Sequence, residues 1–182
     1  MCRWKLDFYP KSEYYTTIRF RIKYIAERNY QLNMENTSGK LQKFNQICKE
    51  TNVIYHDYAV KHGISDTVFW ILYSIYYYGE GITQKNICEE WFYSAQTINS
   101  SLKTMEKNGL IILEPSKLNK KEKQIYFTKE GKALADKLIK PVIEAEKKSL
   151  DEIKEDELET MFDITYRHIK KLENLIGNIN IR

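Results

Sequence analysis

The segment from Ile82 to Thr128 constrains this chain more than any other. It reads ITQKNICEEW, then SAQTINSSLKTMEKNGLI, then ILEPSKLNKKEKQIYFT. The spacing predicts a short helix, a turn, a longer helix closed by Asn108-Gly109, and a lysine-rich β-hairpin. In the longer helix Ile98, Leu102 and Met105 recur at four and three residues, so they share one face and demand burial. Gln96, Asn99, Ser100 and Lys103 fall on the opposite face. Ser94 suits the cap position, where its hydroxyl accepts from a free backbone N–H. Gly109 suits the left-handed position just past the end.

The outward face is rich in amides and hydroxyls and lacks large apolar groups. Asn and Gln can bond adenine bidentately, and Ser and Lys can serve bases or phosphates. An ordinary solvated helix face has the same composition, so the flanking elements decide. The preceding helix starts near Thr83, a cap residue, followed by Gln84, and should bury Ile87 and Cys88. Its N-terminal amides could hold a phosphate. After Gly109, LIILEP is apolar and β-branched and predicts a strand, with QIYFT at 124–128 as its partner. Between them, Lys117, Asn119, Lys120, Lys121 and Lys123 crowd around one acid, Glu122. At a hairpin tip that follows such a helix, these four lysines suit phosphate or minor-groove contact. The expected DNA-contacting set is therefore Thr83, Gln84, Ser94, Gln96, Thr97, Asn99, Ser100, Lys103, Lys117, Asn119, Lys120, Lys121 and Lys123.

Here the chain resembles the MarR family of winged-helix regulators. The likeness is carried by TINSSLKTMEKNGLI at 97–111 and QIYFTKEGKAL at 124–134, which looks like a second wing strand running into a Thr-x-x-Gly helix start. The family's wing tip usually carries Asp-x-Arg or Asp-Arg-Arg. Here Asn119, Lys120 and Lys121 stand in those places, and Lys lacks the planar fork of Arg. The resemblance implies a mainly α fold with a small β-hairpin wing: a winged helix-turn-helix flanked by long dimerisation helices. It implies a sequence-specific DNA-binding transcriptional regulator, a homodimer on a palindromic operator, released by a small ligand or an oxidant. Residues 34–182 form the expected single domain, with dimerisation helices at 34–63 and 129–182 and the DNA-binding lobe at 64–128.

Charge placement points to the same region. The formal net charge is +4, and residues 1–33, with seven basic and three acidic side chains, account for it. Residues 94–132 hold eight Lys against four Glu, a local basic element in an otherwise balanced body. Residues 1–33 have neither clear periodicity nor the apolar core of a signal peptide. They read as an extension upstream of a native start at Met34, as a disordered basic arm, or as an added structural element.

Leu41 to His62 predicts a long helix with Phe44, Ile47, Cys48, Thr51, Tyr55 and Tyr58 on one stripe. DTVFWILYSIYYY, capped by Ser65, predicts a core helix too short to span a bilayer. Lys129 to about Leu150 predicts a helical run kinked at Pro141. Glu155 to Ile176 predicts another, with Leu158, Phe162, Thr165, Ile169, Leu172 and Ile176 aligned. Tyr55, His56, Tyr58, Trp70 and Tyr73 offer stacking faces and polar handles for the small aromatic ligand that the resemblance implies, although core packing is the commoner role of such rings. Cys48 matches the place of the peroxide-sensing cysteine in one branch of the family; a buried structural thiol is the alternative.

Cys2, Cys48 and Cys88 form no CxxC pair and no zinc spacing, so no metal or cofactor is expected. The odd cysteine count and the lack of a signal segment fit a reducing cytoplasm. No phosphate-binding glycine loop, GxSxG, HExxH or paired-carboxylate motif is present, which argues against an enzyme. The rival reading is a winged-helix protein-interaction module without specific DNA binding.

Overall fold

The computed structural model describes residues 37–116, 119 and 122–179. The chain divides into two compact units, with the boundary between Ala135 and Asp136. The first contains α1 (Thr37–Lys61), α2 (Asp66–Tyr78), β1 (Ile82–Thr83), α3 (Gln84–Trp91), α4 (Ala95–Lys107), β2 (Ile111–Pro115) and β3 (Lys123–Phe127). Helix α5 (Lys129–Leu138) crosses the boundary, and α6 (Lys140–Asp151) and α7 (Glu155–Gly177) lie in the second unit. The expectations for residues 1–33 lie outside the described residues.

Helix α2 is the centre of the first unit. Ser65 caps it, its Oγ accepting from the Val68 N–H at 3.3 Å. Phe69, Ile71, Leu72, Tyr73, Ser74 and Ile75 are all buried, so this helix is enclosed on most sides. Gly79, at φ 100°, ends it in a conformation open mainly to glycine. Helix α1 contributes unevenly. Ala59 is fully buried and Tyr55 and Tyr58 half-buried, whereas Phe44, Ile47 and Cys48 are exposed. The expected stripe is thus covered only in its C-terminal half.

The hairpin is the second layer. Its sheet order is β1-β3-β2, all antiparallel, with Leu113 and Ile82 flanking Ile125 on either side. Ile125 is fully buried and Ile111 nearly so, which ties the sheet to the core. The sequence did not predict β1: two residues carry no readable alternation, and the strand is defined by the pairing of Ile82 with Ile125 and Thr83 with Gln124, with Gly81 donating its N–H to the Ile125 carbonyl at 2.9 Å beside it.

Thr128 to Gly131 joins the hairpin to α5. The Thr128 Oγ1 donates to the Gly109 carbonyl at 2.6 Å and accepts from the Gly131 N–H at 3.0 Å. This hydroxyl therefore caps α5 and clamps it to the end of α4 in one step. The Thr-x-x-Gly spacing has a steric cause as well. A Cβ on Gly131 would stand 1.8 Å from the Leu110 carbonyl oxygen, a backbone atom that cannot step aside.

In the second unit, the single kinked run expected from Lys129 to Leu150 is two helices. Ile139 separates them, and Pro141 sits in the first turn of α6, where its missing N–H has no partner to lose. Helix α7 carries Glu155, Asp156 and Glu157 in its first turn, favourable against the helix dipole. Its predicted stripe is present, but no residue of α7 is buried: Phe162 is 55% exposed, Ile169 52% and Ile176 58%.

Gly131→Ala should lower stability by about 1–3 kcal/mol or more, the cost of forcing atoms into filled space. Thermal unfolding followed by circular dichroism measures it. An unchanged midpoint would show that α5 can step away from Leu110.

Candidate nucleic-acid interface

Helices α3 and α4 are set by paired caps. The Thr83 Oγ1 accepts from the Asn86 N–H at 3.3 Å, and the Asn86 Oδ1 accepts from the Thr83 N–H at 2.9 Å, a reciprocal capping box. The Ser94 Oγ accepts from the Thr97 N–H at 3.1 Å, an interaction worth about 1 kcal/mol. The Gln84 Nε2 donates to the Ala95 carbonyl at 2.7 Å, fastening the start of α3 to the start of α4. At the far end, the Leu110 N–H donates to the Met105 carbonyl and the Gly109 N–H to the Glu106 carbonyl, both at 2.9 Å. With Gly109 at φ 68°, this is a Schellman closure of α4.

The two predicted faces of α4 are separated as expected. Ile98, Leu102 and Met105 are at most 2% exposed. Gln96, Thr97, Asn99, Ser100 and Lys103 are exposed, with Ser94 exposed at the cap. Beside that face, a groove of about 530 Å³ brings together Thr83, Gln84, Asn99, Lys103 and Lys123. These come from β1, α3, α4 and β3, so the fold converges five of the expected contact residues. Glu106 and Glu122 line the groove as well, which tempers its positive charge. Cys88 is half-buried there rather than buried, and burial, with Glu89 adding, pushes its thiol up.

At the wing tip, Lys117, Lys120 and Lys121 lie outside the described residues. Asn119 is exposed, and its Nδ2 donates to the Glu122 carboxylate at 3.0 Å. The Glu122 N–H donates to the Asn119 carbonyl, and the Ser116 N–H to the Glu122 carbonyl, both at 2.9 Å. Asn119 thus closes the turn and occupies the one acid of the loop.

The turn between α3 and α4 holds residues that the sequence reading passed over. Trp91 stacks on Trp70 at 3.9 Å between ring centroids, and its Nε1 donates to the Ser74 Oγ at 2.7 Å. Ser74 is buried and donates onward to the Trp70 carbonyl. Tyr93 is held on the other side: burial pushes its phenol up, with Asp66 adding, and a hydrogen bond with Thr67 works the other way. Tyr78 donates to the Glu90 carboxylate at 2.5 Å, and that bond is the main reason its phenol is pushed up to about 12. Between the two anchored rings, Phe92 points outward. It is 93% exposed and sits at φ 53°, the one positive-φ residue other than glycine among the described residues. A bulky side chain in that region costs about 1–3 kcal/mol.

The candidate ligand residues share one aromatic cluster. Tyr55 lies 5.0 Å from Trp70, Trp70 lies 5.5 Å from Tyr73, and Tyr58 meets the buried Phe69. The His56 Nδ1 lies 2.9 Å from an Asp66 carboxylate oxygen. Their faces are partly engaged with one another. Cys48 is exposed on the N-terminal half of α1. Among the described residues, no group of His, Cys, Asp and Glu could hold a metal, and no helix is long and apolar enough to cross a membrane.

A tri-helical lobe with a capped, outward-facing polar helix and an antiparallel hairpin behind it defines a winged helix-turn-helix. A family model described as MarR family matches residues 62–122, from the end of α1 to the wing. A MarR family regulator from Neisseria meningitidis is similar in structure, at 21% identity and TM-score 0.64, over 76% of this chain and 96% of that one. S. aureus MepR in its DNA-binding conformation matches at 20% identity and TM-score 0.62, over 73% of this chain and 98% of that one. A regulator from Listeria monocytogenes, assigned to the MarR family and complexed with 26mer DNA, matches at 23% identity and TM-score 0.58, over 78% and 97%. At these identities the structural likeness is one of fold. None of the curated proteins matches the chain in sequence. The fold is therefore that of a winged-helix protein, and its stretch from residue 62 to 122 is similar to the MarR family.

Proposed function

We propose that this protein is a DNA-binding transcriptional regulator that reads the major groove with α4 and meets the backbone with its wing. The observation that carries this reading is the division of α4 into a buried apolar face and an exposed face of Gln96, Asn99, Ser100 and Lys103. Amides there can specify adenine, and Lys103 and Lys123 supply charge for phosphates. Thr83 and Gln84 act mainly as positioning residues, since both spend side-chain hydrogen bonds on fixing α3 and α4. MepR has been seen in a DNA-binding conformation and the Listeria regulator in complex with 26mer DNA, which supports the same role here.

The working assembly in this proposal is a homodimer on a palindromic operator. Self-association runs through the exposed apolar stripe of α7; the N-terminal half of α1, taken by itself, is a second exposed apolar surface. Contiguous apolar surface of this kind marks an association site rather than a solvated face. The effector is a small aromatic ligand stacked on the half-buried rings of Tyr55 and Trp70, with the buried Tyr73 beside them.

Selection from random duplex DNA tests the reading. Gln96→Ala and Asn99→Ala should each relax base preference at one position of a half-site, by about 1–3 kcal/mol against mismatched sites. The same consensus from both variants would return these side chains to phosphate contact or solvent.

Sedimentation tests the assembly. The wild-type chain should sediment as a dimer, and a double variant carrying Ile169→Glu and Leu172→Glu should give monomers that no longer bind the operator, because the interface would hold unpaired charge. A dimer of the double variant with intact DNA binding would place the interface elsewhere.

A further inference from the structure

Phe92 combines two unfavourable features that a turn in this place does not require. Its backbone is left-handed, which glycine or asparagine adopts at far less cost. Its ring is 93% exposed, the most exposed of the large apolar side chains among the described residues. Neither feature is loose: Trp91 is bonded to Ser74 and stacked on Trp70, and Tyr93 is drawn in beside Thr67 and Asp66. The turn therefore holds the Phe92 ring outward on a fixed support, two residues before the Ser94 cap of α4. In a helix-turn-helix, the start of the recognition helix is the part that reaches base edges.

We propose that Phe92 is a specificity-determining contact, its ring packing against the C5-methyl group of a thymine in the major groove. This inference rests on the DNA-binding reading above. The polar face beside it, Ser94, Gln96 and Asn99, can answer every hydrogen-bonding group on a base edge. The thymine methyl is the one apolar feature there, and apolar side chains are its usual partners. Phe92 supplies the apolar element that α4 itself withholds from solvent, since Ile98, Leu102 and Met105 all face inward.

Deoxyuridine differs from thymidine by that methyl alone, which gives a direct test. The full chain is first used to select a consensus from random duplex DNA. Its affinity is then measured on the selected duplex and on copies with each thymidine replaced in turn by deoxyuridine, for the wild type, Phe92→Ala and Phe92→Gly. One position per half-site should weaken the wild type by roughly fourfold, the value of one buried methyl. The same replacement should leave both variants unchanged, while both bind the thymidine duplex more weakly than the wild type does. Phe92→Gly should melt no lower than the wild type, because glycine accepts the left-handed turn without strain. Three results would overturn the inference while leaving the DNA-binding reading in place: a wild type indifferent to every replacement, variants that keep full affinity, or variants that retain the wild-type response to deoxyuridine. A wild type that selects no consensus would overturn both.

Discussion

Burial of Ile98, Leu102 and Met105 fixes the rotation of α4 about its own axis, and the rest of the first unit is arranged around that choice. Once those three face inward, Gln96, Asn99, Ser100 and Lys103 have no option but to face outward. The ends of the helix are then locked by separate devices. Ser94 and the Gln84 side chain hold its start, and the Schellman closure at Gly109 holds its finish. Thr128 extends the lock by bonding Gly109 and capping α5 with the same hydroxyl. A polar face kept at a defined angle by so many independent constraints is suited to reading a rigid partner, where a small rotation would misplace every contact.

The turn before α4 shows rigidity serving presentation. Trp91 and Tyr93 are drawn toward α2, and the Trp91 N–H is satisfied by a buried serine hydroxyl. Left unpaired, that N–H would cost about 1–3 kcal/mol. The Tyr78–Glu90 bond adds a second tie between the ends of α2 and α3. The helix-turn-helix is therefore braced by aromatic packing from the core helix below it, and local capping is only part of its stability.

Much of this was legible in the sequence because it is governed by local rules. Ser65, Ser94 and Gly109 mark helix ends by short-range hydrogen bonding and backbone freedom, and the spacing of Ile98, Leu102 and Met105 needs no tertiary knowledge. The features that escaped are those decided by distant partners. Strand β1 is two residues long and depends on Ile125, more than forty positions away. The break at Ile139 is not legible, since a proline inside a helical pattern does not say whether the helix bends or restarts. The Trp91–Ser74 bond is wholly tertiary. Phe92 gave no local sign of a left-handed backbone, since a bulky side chain rarely takes that conformation. The exposed half of α1 was legible as a stripe, but which half the first unit covers was not.

The account stands or falls on whether α4 and the wing engage duplex DNA, and the salt dependence of binding measures that most directly. Affinity for a fixed duplex would be followed from low to moderate salt for the wild type and for a Lys120→Ala, Lys121→Ala double variant. Each phosphate neutralised by protein releases counterion and steepens the slope. The wild type should show a steep slope, and the double variant one flatter by roughly one to two units per half-site. A wild type without salt-dependent duplex binding would contradict the account and favour a protein-docking winged helix; an unchanged slope in the variant would remove these wing lysines from the interface.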